Sequence, residues 1–266
     1  MILLLGEKQM IDYDIASKTY DHTRNHSDEI IARFTSRVSF TATTAILDFG
    51  CGTGSYLNAL QLAFHCCCCG VEPSEGMRAL AAEKNRSLDV RQGDDRKIPF
   101  DAKTFDFAFM TDVIHHVGDM ALMFSELWRV LKLDGWLCVV TESHDQIKGR
   151  FYNRYFPSLA ANEQRRYPEV KRIVQSALAS GFIHEATDVL CASAPAAITE
   201  QFLRNVAEKN YSMFRLLNER EYADGLSKLR KDVGRTFEPI GAGDSLIWFR
   251  KLPQQIGCSC RDKLGT

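Results

Sequence analysis

The chain has 266 residues, enough for one large domain or a core with an appended lid. Hydrophobic residues make up 45%, charged residues 25%, and the net charge is −1, an ordinary balance for a soluble globular protein. That balance excludes the basic stripe expected of a nucleic-acid binder, and no apolar run reaches the roughly 20 residues that a membrane span needs. At the N-terminus, Ile2 to Leu5 is an apolar run of four residues, short of the roughly 7–15 of a secretory leader, so a cytoplasmic protein is expected.

Taken in chain order, Ala45 to Phe49 reads as a short apolar strand, and Tyr56 to Ala63 opens a helix. His65 to Glu72 reads as a second, buried strand. Glu75 to Asn85, rich in Met, Ala and Leu, is a helix, and Leu88 to Gln92 a third strand. Phe105 to Met110 is an aromatic fourth strand. Leu122, Phe124, Leu127, Trp128 and Leu131 form a helical stripe within Leu122 to Leu133, which stops at Gly135. Trp136 to Val140 is a fifth strand. Strands separated by helices of this length predict βαβ units, hence an α/β fold with a Rossmann-like, doubly wound sheet. Such sheets bind ligands beyond the carboxyl ends of their strands.

From Lys148 the pattern changes. Phe151, Tyr152, Tyr155, Phe156 and Tyr167 crowd into a short aromatic and basic stretch. Glu169 to Ala179 is a helix ended by Gly181, and Ile183 to Ala192 a sixth strand. Thr199 to Asn218 and Glu221 to Asp232 are amphipathic helices. Ser245 to Lys251 is the last strand, expected to run antiparallel in an otherwise mostly parallel sheet. The helices of 199–233 are therefore read as an insertion before that strand, placed to act as a lid.

The nine cysteines do not form the framework of a small secreted domain. Cys66 to Cys69 are consecutive. On a strand their side chains alternate between faces, so the four thiols cannot converge on one metal. They read as small hydrophobes of a buried strand, and no metal site is expected. Cys258 and Cys260 fall in a polar tail.

The densest glycine pattern is Asp48-Phe-Gly-Cys-Gly-Thr-Gly54, straight after a strand and opening a helix. No Gly-Lys-Ser or Gly-Lys-Thr closes it, which excludes a P-loop, and Ser55 and Leu57 break both registers of a dinucleotide fingerprint. Three further stations follow: Glu72 at the end of the second strand, in GVEPSEGM; Asp94 after the third, in RQGDDRKIPF; Thr111 and Asp112 at the end of the fourth, in FDFAFMTDVIHHV. LKLDGWLCVV comes after them. This ordered set, over Ile46 to Thr141, resembles the class I S-adenosylmethionine-dependent methyltransferases. YDIASKTYDHTR, Tyr13 to Arg24, resembles the opening helix of the ubiquinone/menaquinone-biosynthesis-like small-molecule group.

The resemblance implies S-adenosylmethionine as cofactor. Gly50, Gly52 and Gly54, after Asp48, would pass under its methionine part. Glu72, with Pro73 and Met77 of the same segment, would meet the ribose side; Asp94 would meet the adenine amino group, with Asp95 able to take its place; Thr111 would border the site. Tyr20 and Arg24, four apart, share one helix face, where Tyr20 could cover the sulfonium and Arg24 bind the methionyl carboxylate. His115 and His116, just beyond the fourth strand, are the candidates for a catalytic base. The expected organisation is a single methyltransferase domain over 1–266, with cap helices in 13–40, a cofactor-binding core in 45–145, a lid in 199–233 and a disordered tail in 253–266. The expected reaction is in-line methyl transfer to an O, N or C nucleophile of a small molecule. A macromolecule (RNA or protein) methyltransferase and a metalloid methyltransferase are the alternatives. Against base N-methylation, TDVIHH stands where an Asn/Asp-Pro-Pro-aromatic element would grip a planar amine. No nucleic-acid partner is expected, and the oligomeric state is left open.

Overall fold

The computed structural model describes residues 26–192, 195–238 and 241–253. Tyr20, Arg24, residues 13–25 of the expected cap segment and nearly all of the expected tail, with Cys258 and Cys260, lie outside the described residues.

The chain enters through helix α1 (Asp28–Arg37), capped by the Ser27 side chain. Strand β1 (Ala45–Phe49) leads through the glycine loop into α2 (Ser55–Phe64), then β2 (Cys67–Val71), α3 (Glu75–Lys84) and β3 (Asp89–Arg91). Strand β4 (Phe105–Thr111), α4 (Met120–Val130) and β5 (Leu131–Thr141) complete the alternating part. Helices α5 (His144–Gly149), α6 (Ser158–Arg166) and α7 (Val170–Ala179) precede β6 (Ile183–Cys191). After the two-residue β7 (Ala196–Ala197) come α8 (Glu200–Ala207), α9 (Glu219–Lys231), β8 (Thr236–Phe237) and β9 (Gly243–Arg250).

Seven strands form one sheet in the order β3-β2-β1-β4-β5-β9-β6. The pairs from β3 to β5 are parallel, and β9 runs antiparallel to both β5 and β6. The fold is therefore the Rossmann-like, mostly parallel sheet with an antiparallel last strand. Alternation along each strand feeds two cores. Leu47, Phe105, Val139 and Phe249 face α4 and α7 on one side. Ile46, Phe107, Phe109 and Trp248 face α1 and α2 on the other. Phe34 of α1 is fully buried against Phe107, Phe109 and Trp248, at ring separations of 5.2, 4.9 and 6.1 Å.

Three local expectations change in detail. The fourth-strand helix ends at Val130 because Leu131 already pairs with Phe105, so β5 begins five residues earlier than expected. The region expected as one helix over Thr199 to Asn218 is α8 plus a 3-10 turn at Ser212–Leu216, with Lys209 at φ 52 between them. Helices α5 and α6, not anticipated, flank the aromatic stretch, where Phe151–Arg154 is a 3-10 turn. Tyr155, Phe156 and Leu159 from that stretch pack with Val206, Phe214, Leu226 and Phe237 into a third core. The insertion thus packs on the 151–166 segment and shares a core with it.

The described cysteines are all free. Cys66, Cys68 and Cys69 are buried and Cys67 is exposed. Burial pushes the Cys68 and Cys69 thiols up to about 12, which makes them inert small hydrophobes at neutral pH.

Candidate functional site

The glycine loop leaves β1 at the carboxyl edge of the sheet. Gly50, Gly52 and Gly54 have φ of 76, 53 and 70°, the left-handed region that side chains with a Cβ resist. At Gly50 a Cβ would also stand 2.6 Å from a Val113 methyl. The loop ends at α2, whose N-terminus has no side-chain cap. Its first N–H groups therefore remain available near Ser55 and Tyr56.

This loop floors a cavity of about 440 Å³. Gly50, Cys51, Thr53, Ser55 and Tyr56 line one side, and Ser27 and Ile30 of the α1 region close it above. Thr111 and Asp112 border it from β4, Glu142 from the end of β5 and Asp244 from the start of β9. Arg150, Tyr152, Glu163 and Tyr167 form a further wall, with Phe202, Tyr211, Ser212 and Met213 from the insertion.

The expected residues divide into three groups. Gly50 and Thr111 line the cavity. Asp48, Gly52, Gly54 and Glu72 stand directly behind its floor. Asp48 is 1% exposed, and its Oδ1 has no hydrogen-bond partner among the described residues. Burial first, and the Glu72 carboxylate second, push its pKa well above the usual carboxylate range. Glu72 accepts the Gly52 N–H at 3.0 Å and the Ser74 N–H at 2.9 Å, so it clamps the glycine loop to the start of α3. The third group sits farther out. Pro73 is exposed, and Met77 is buried, its N–H held by Ser74 Oγ. Asp94 is exposed in a turn and accepts the Arg96 and Lys97 N–H groups. Asp95 Oδ2 accepts from Gly118 and Asp119 at 2.7 Å each, tying its loop to the start of α4.

His115 and His116 do not line this cavity. His115 is buried with its ring stacked on Tyr167, centroids 4.0 Å apart, so Tyr167 is the neighbour that faces the cavity. His116 is exposed.

Sequence reading missed the polar wall. Arg150, 9% exposed in its side chain, donates to Glu142 from Nε at 2.8 Å and from Nη2, and pairs with Glu163 at 3.2 Å. Arg166 holds the other Glu163 oxygen at 2.6 Å. Burial raises the Glu142 pKa, an effect that Arg150 opposes. Asp244 is pushed up to about 7, by burial first and then by the fields of Asp112 and Glu142. One signal was available: Asp112 and Glu142 each follow the end of a parallel strand, where such sheets place ligands.

Among the described residues, no helix is long and apolar enough to cross a membrane. Residues 47–139 match the family model described as a methyltransferase domain. The chain is 30% identical over 135 residues to the malonyl-[acyl-carrier protein] O-methyltransferase of Legionella pneumophila, covering 48% of each chain. It is 35% identical over 115 residues to the demethylmenaquinone methyltransferase of Symbiobacterium thermophilum, covering 40% of this chain and 46% of that protein. The alignment spans about half the length of these curated relatives. The fold overlays, with a TM-score of 0.70 and 20% identity, on a solved Anabaena variabilis protein described as a methyltransferase of an antibiotic biosynthesis pathway, covering 85% of this chain and 98% of that one. The glycine loop, the clamped acid behind it, the strand order and the family match together mark residues 47–139 as a methyltransferase domain, similar to those of the class I S-adenosylmethionine-dependent enzymes.

Proposed function

We propose that this chain transfers a methyl group from S-adenosylmethionine to a small-molecule acceptor by in-line displacement. The observation that carries this reading is the continuity, in one cavity of about 440 Å³, of the glycine loop with an aromatic and acidic wall. That volume lies in the range of small-molecule sites. The names of the two relatives, which concern a quinone precursor and a malonyl group, support a small acceptor group over a nucleic acid.

The residues present fit the cofactor. The uncapped start of α2 suits a carboxylate. Asp48 Oδ1 is a buried acceptor with no partner among the described residues. Glu72, which accepts the Gly52 and Ser74 N–H groups, stands at the end of β2 as the carboxylate that would meet a ribose hydroxyl. Bound there, the cofactor supplies an electrophilic methyl group on a sulfonium. The chain holds the acceptor in line with it, and the apolar rings of the insertion exclude water.

Calorimetric titration with S-adenosylhomocysteine tests the reading. Wild type binds in the micromolar range, and Gly52→Val loses at least tenfold, because a branched side chain at φ 53 reshapes the loop. Preferential binding of NAD overturns the cofactor assignment.

A further inference from the structure

We propose that the acceptor is an amine, captured as its ammonium by Asp112 and Asp244 among the tyrosines of the same cavity. This rests on the methyl-transfer reading and adds the chemistry of the acceptor to it.

Three adjacent strands each present a carboxylate at one edge: Asp112 after β4, Glu142 after β5 and Asp244 at the start of β9. The register makes this a row. The Asp112 N–H donates to the Val140 carbonyl at 3.1 Å, and Ser245 pairs with Thr141. Glu142 is neutralised by Arg150, which also serves Glu163. The carboxylates of Asp112 and Asp244 have neither a hydrogen bond nor an ion pair among the described residues, yet both line the cavity. The charged groups whose fields act on Asp244 are Asp112, Glu142, Glu29 and Arg150, three anions against one cation already paired.

An independent observation points to a ligand at the same place. Tyr167 is 6% exposed, and its hydroxyl has no hydrogen-bond partner among the described residues. Tyr152 lines the cavity beside it, its hydroxyl likewise without a partner there. The Tyr167 ring itself is stacked on His115 and lies 5.8 Å from the Arg150 guanidinium, so it is the phenol oxygens, beside unpaired carboxylates, that offer acceptors to an ammonium. The cofactor does not discharge this need. Its sulfonium and ammonium oppose one carboxylate, a net single positive charge, which offsets one of the two free carboxylates.

The step balances. The bound ammonium gives a proton to the Asp244 carboxylate, which frees its lone pair. The amine nitrogen then forms a bond to the methyl carbon as the carbon–sulfur bond breaks, and that electron pair stays on sulfur. The product leaves as a methylated ammonium, and Asp244 passes its proton to solvent. Asp244, held near 7, can both take and release it.

The test uses three probes of one skeleton: 2-phenylethylamine, 2-phenylethanol and 3-phenylpropanoate. Each is titrated by calorimetry at pH 8 into protein saturated with S-adenosylhomocysteine. The amine is expected to bind at least tenfold tighter than the alcohol, and the carboxylate not at all. Asp112→Asn and Asp244→Asn should each cut amine affinity at least fivefold while alcohol affinity stays unchanged, which also shows the variants folded. Equal affinities for amine and alcohol, a preference for the anion, or no binding by any probe overturns the proposal. If S-adenosylhomocysteine itself fails to bind, the methyl-transfer reading falls, and this proposal with it. If it binds and the amine has no advantage, only the acceptor assignment falls.

Discussion

Asp244→Asn should make the folded protein more stable at pH 8 than wild type, although it deletes a charge at the candidate site. The asparagine is nearly isosteric, so packing at the start of β9 is kept. In wild type the carboxyl is pushed up to about 7 by burial and by Asp112 and Glu142, while in the unfolded chain it returns to about 3.9. The folded state therefore binds the proton more tightly than the unfolded state. Between about pH 4 and 7 wild-type stability falls as pH rises, because ionisation is easier in the unfolded chain; above about 7 the penalty is complete. Three pKa units at about 1.4 kcal/mol each set an upper bound of about 4 kcal/mol. Asp244 is only half-buried at the cavity wall, and solvent screening reduces the expected gain to about 1–3 kcal/mol. Urea unfolding of both proteins at pH 5, 6, 7 and 8 reads this directly. The stability difference should widen in favour of the variant up to about pH 7 and then stay flat. Parallel curves for the two proteins across that range would refute the reasoning. Asp112→Asn should give a smaller change of the same sign, since it removes only the second contribution to the shift.

Arg150→Met strips the partner from Glu142 and leaves Glu163 only Arg166, and should cost about 3–5 kcal/mol at pH 7, measured by urea unfolding. An unchanged midpoint would mean that solvent reaches the pair freely. Gly225→Ala in α9 should destabilise despite the better helix propensity of alanine. The new methyl would collide with the Phe156 ring and stand 2.7 Å from the Tyr155 carbonyl, an overpacking cost of about 1–3 kcal/mol. Hydrogen exchange should quicken in 151–166 and 198–237 and stay the same in the sheet. Glu72→Ala should weaken S-adenosylhomocysteine binding by about 1–3 kcal/mol in calorimetry, because the Gly52 and Ser74 N–H groups lose their acceptor and the ribose loses its own. Affinity equal to wild type would place the ribose contact elsewhere.

What the sequence determined by itself was local. The alternation of apolar strands with helical stripes named the fold class, because periods of 2 and 3.6 residues are set by neighbours within a turn or a pleat. The glycines at 50, 52 and 54 announced a backbone in left-handed conformation, a property of each residue's own sterics. Tertiary structure decided the rest. It ended α4 at Val130 by pairing Leu131 with a strand 26 residues earlier, where helix propensity alone would have continued. It showed Asp95 to be a brace for α4, although its sequence neighbour Asp94 has the same chemistry. It buried His115 behind Tyr167, 52 residues away in sequence. It set Asp112, Glu142 and Asp244 in one row because β9 inserts antiparallel beside β5, so the beginning of one strand meets the ends of two others. No local pattern encodes that meeting. Side-chain charge is written in the sequence, but whether it is neutralised, buried or left facing a cavity depends on partners that only the packed sheet brings within reach.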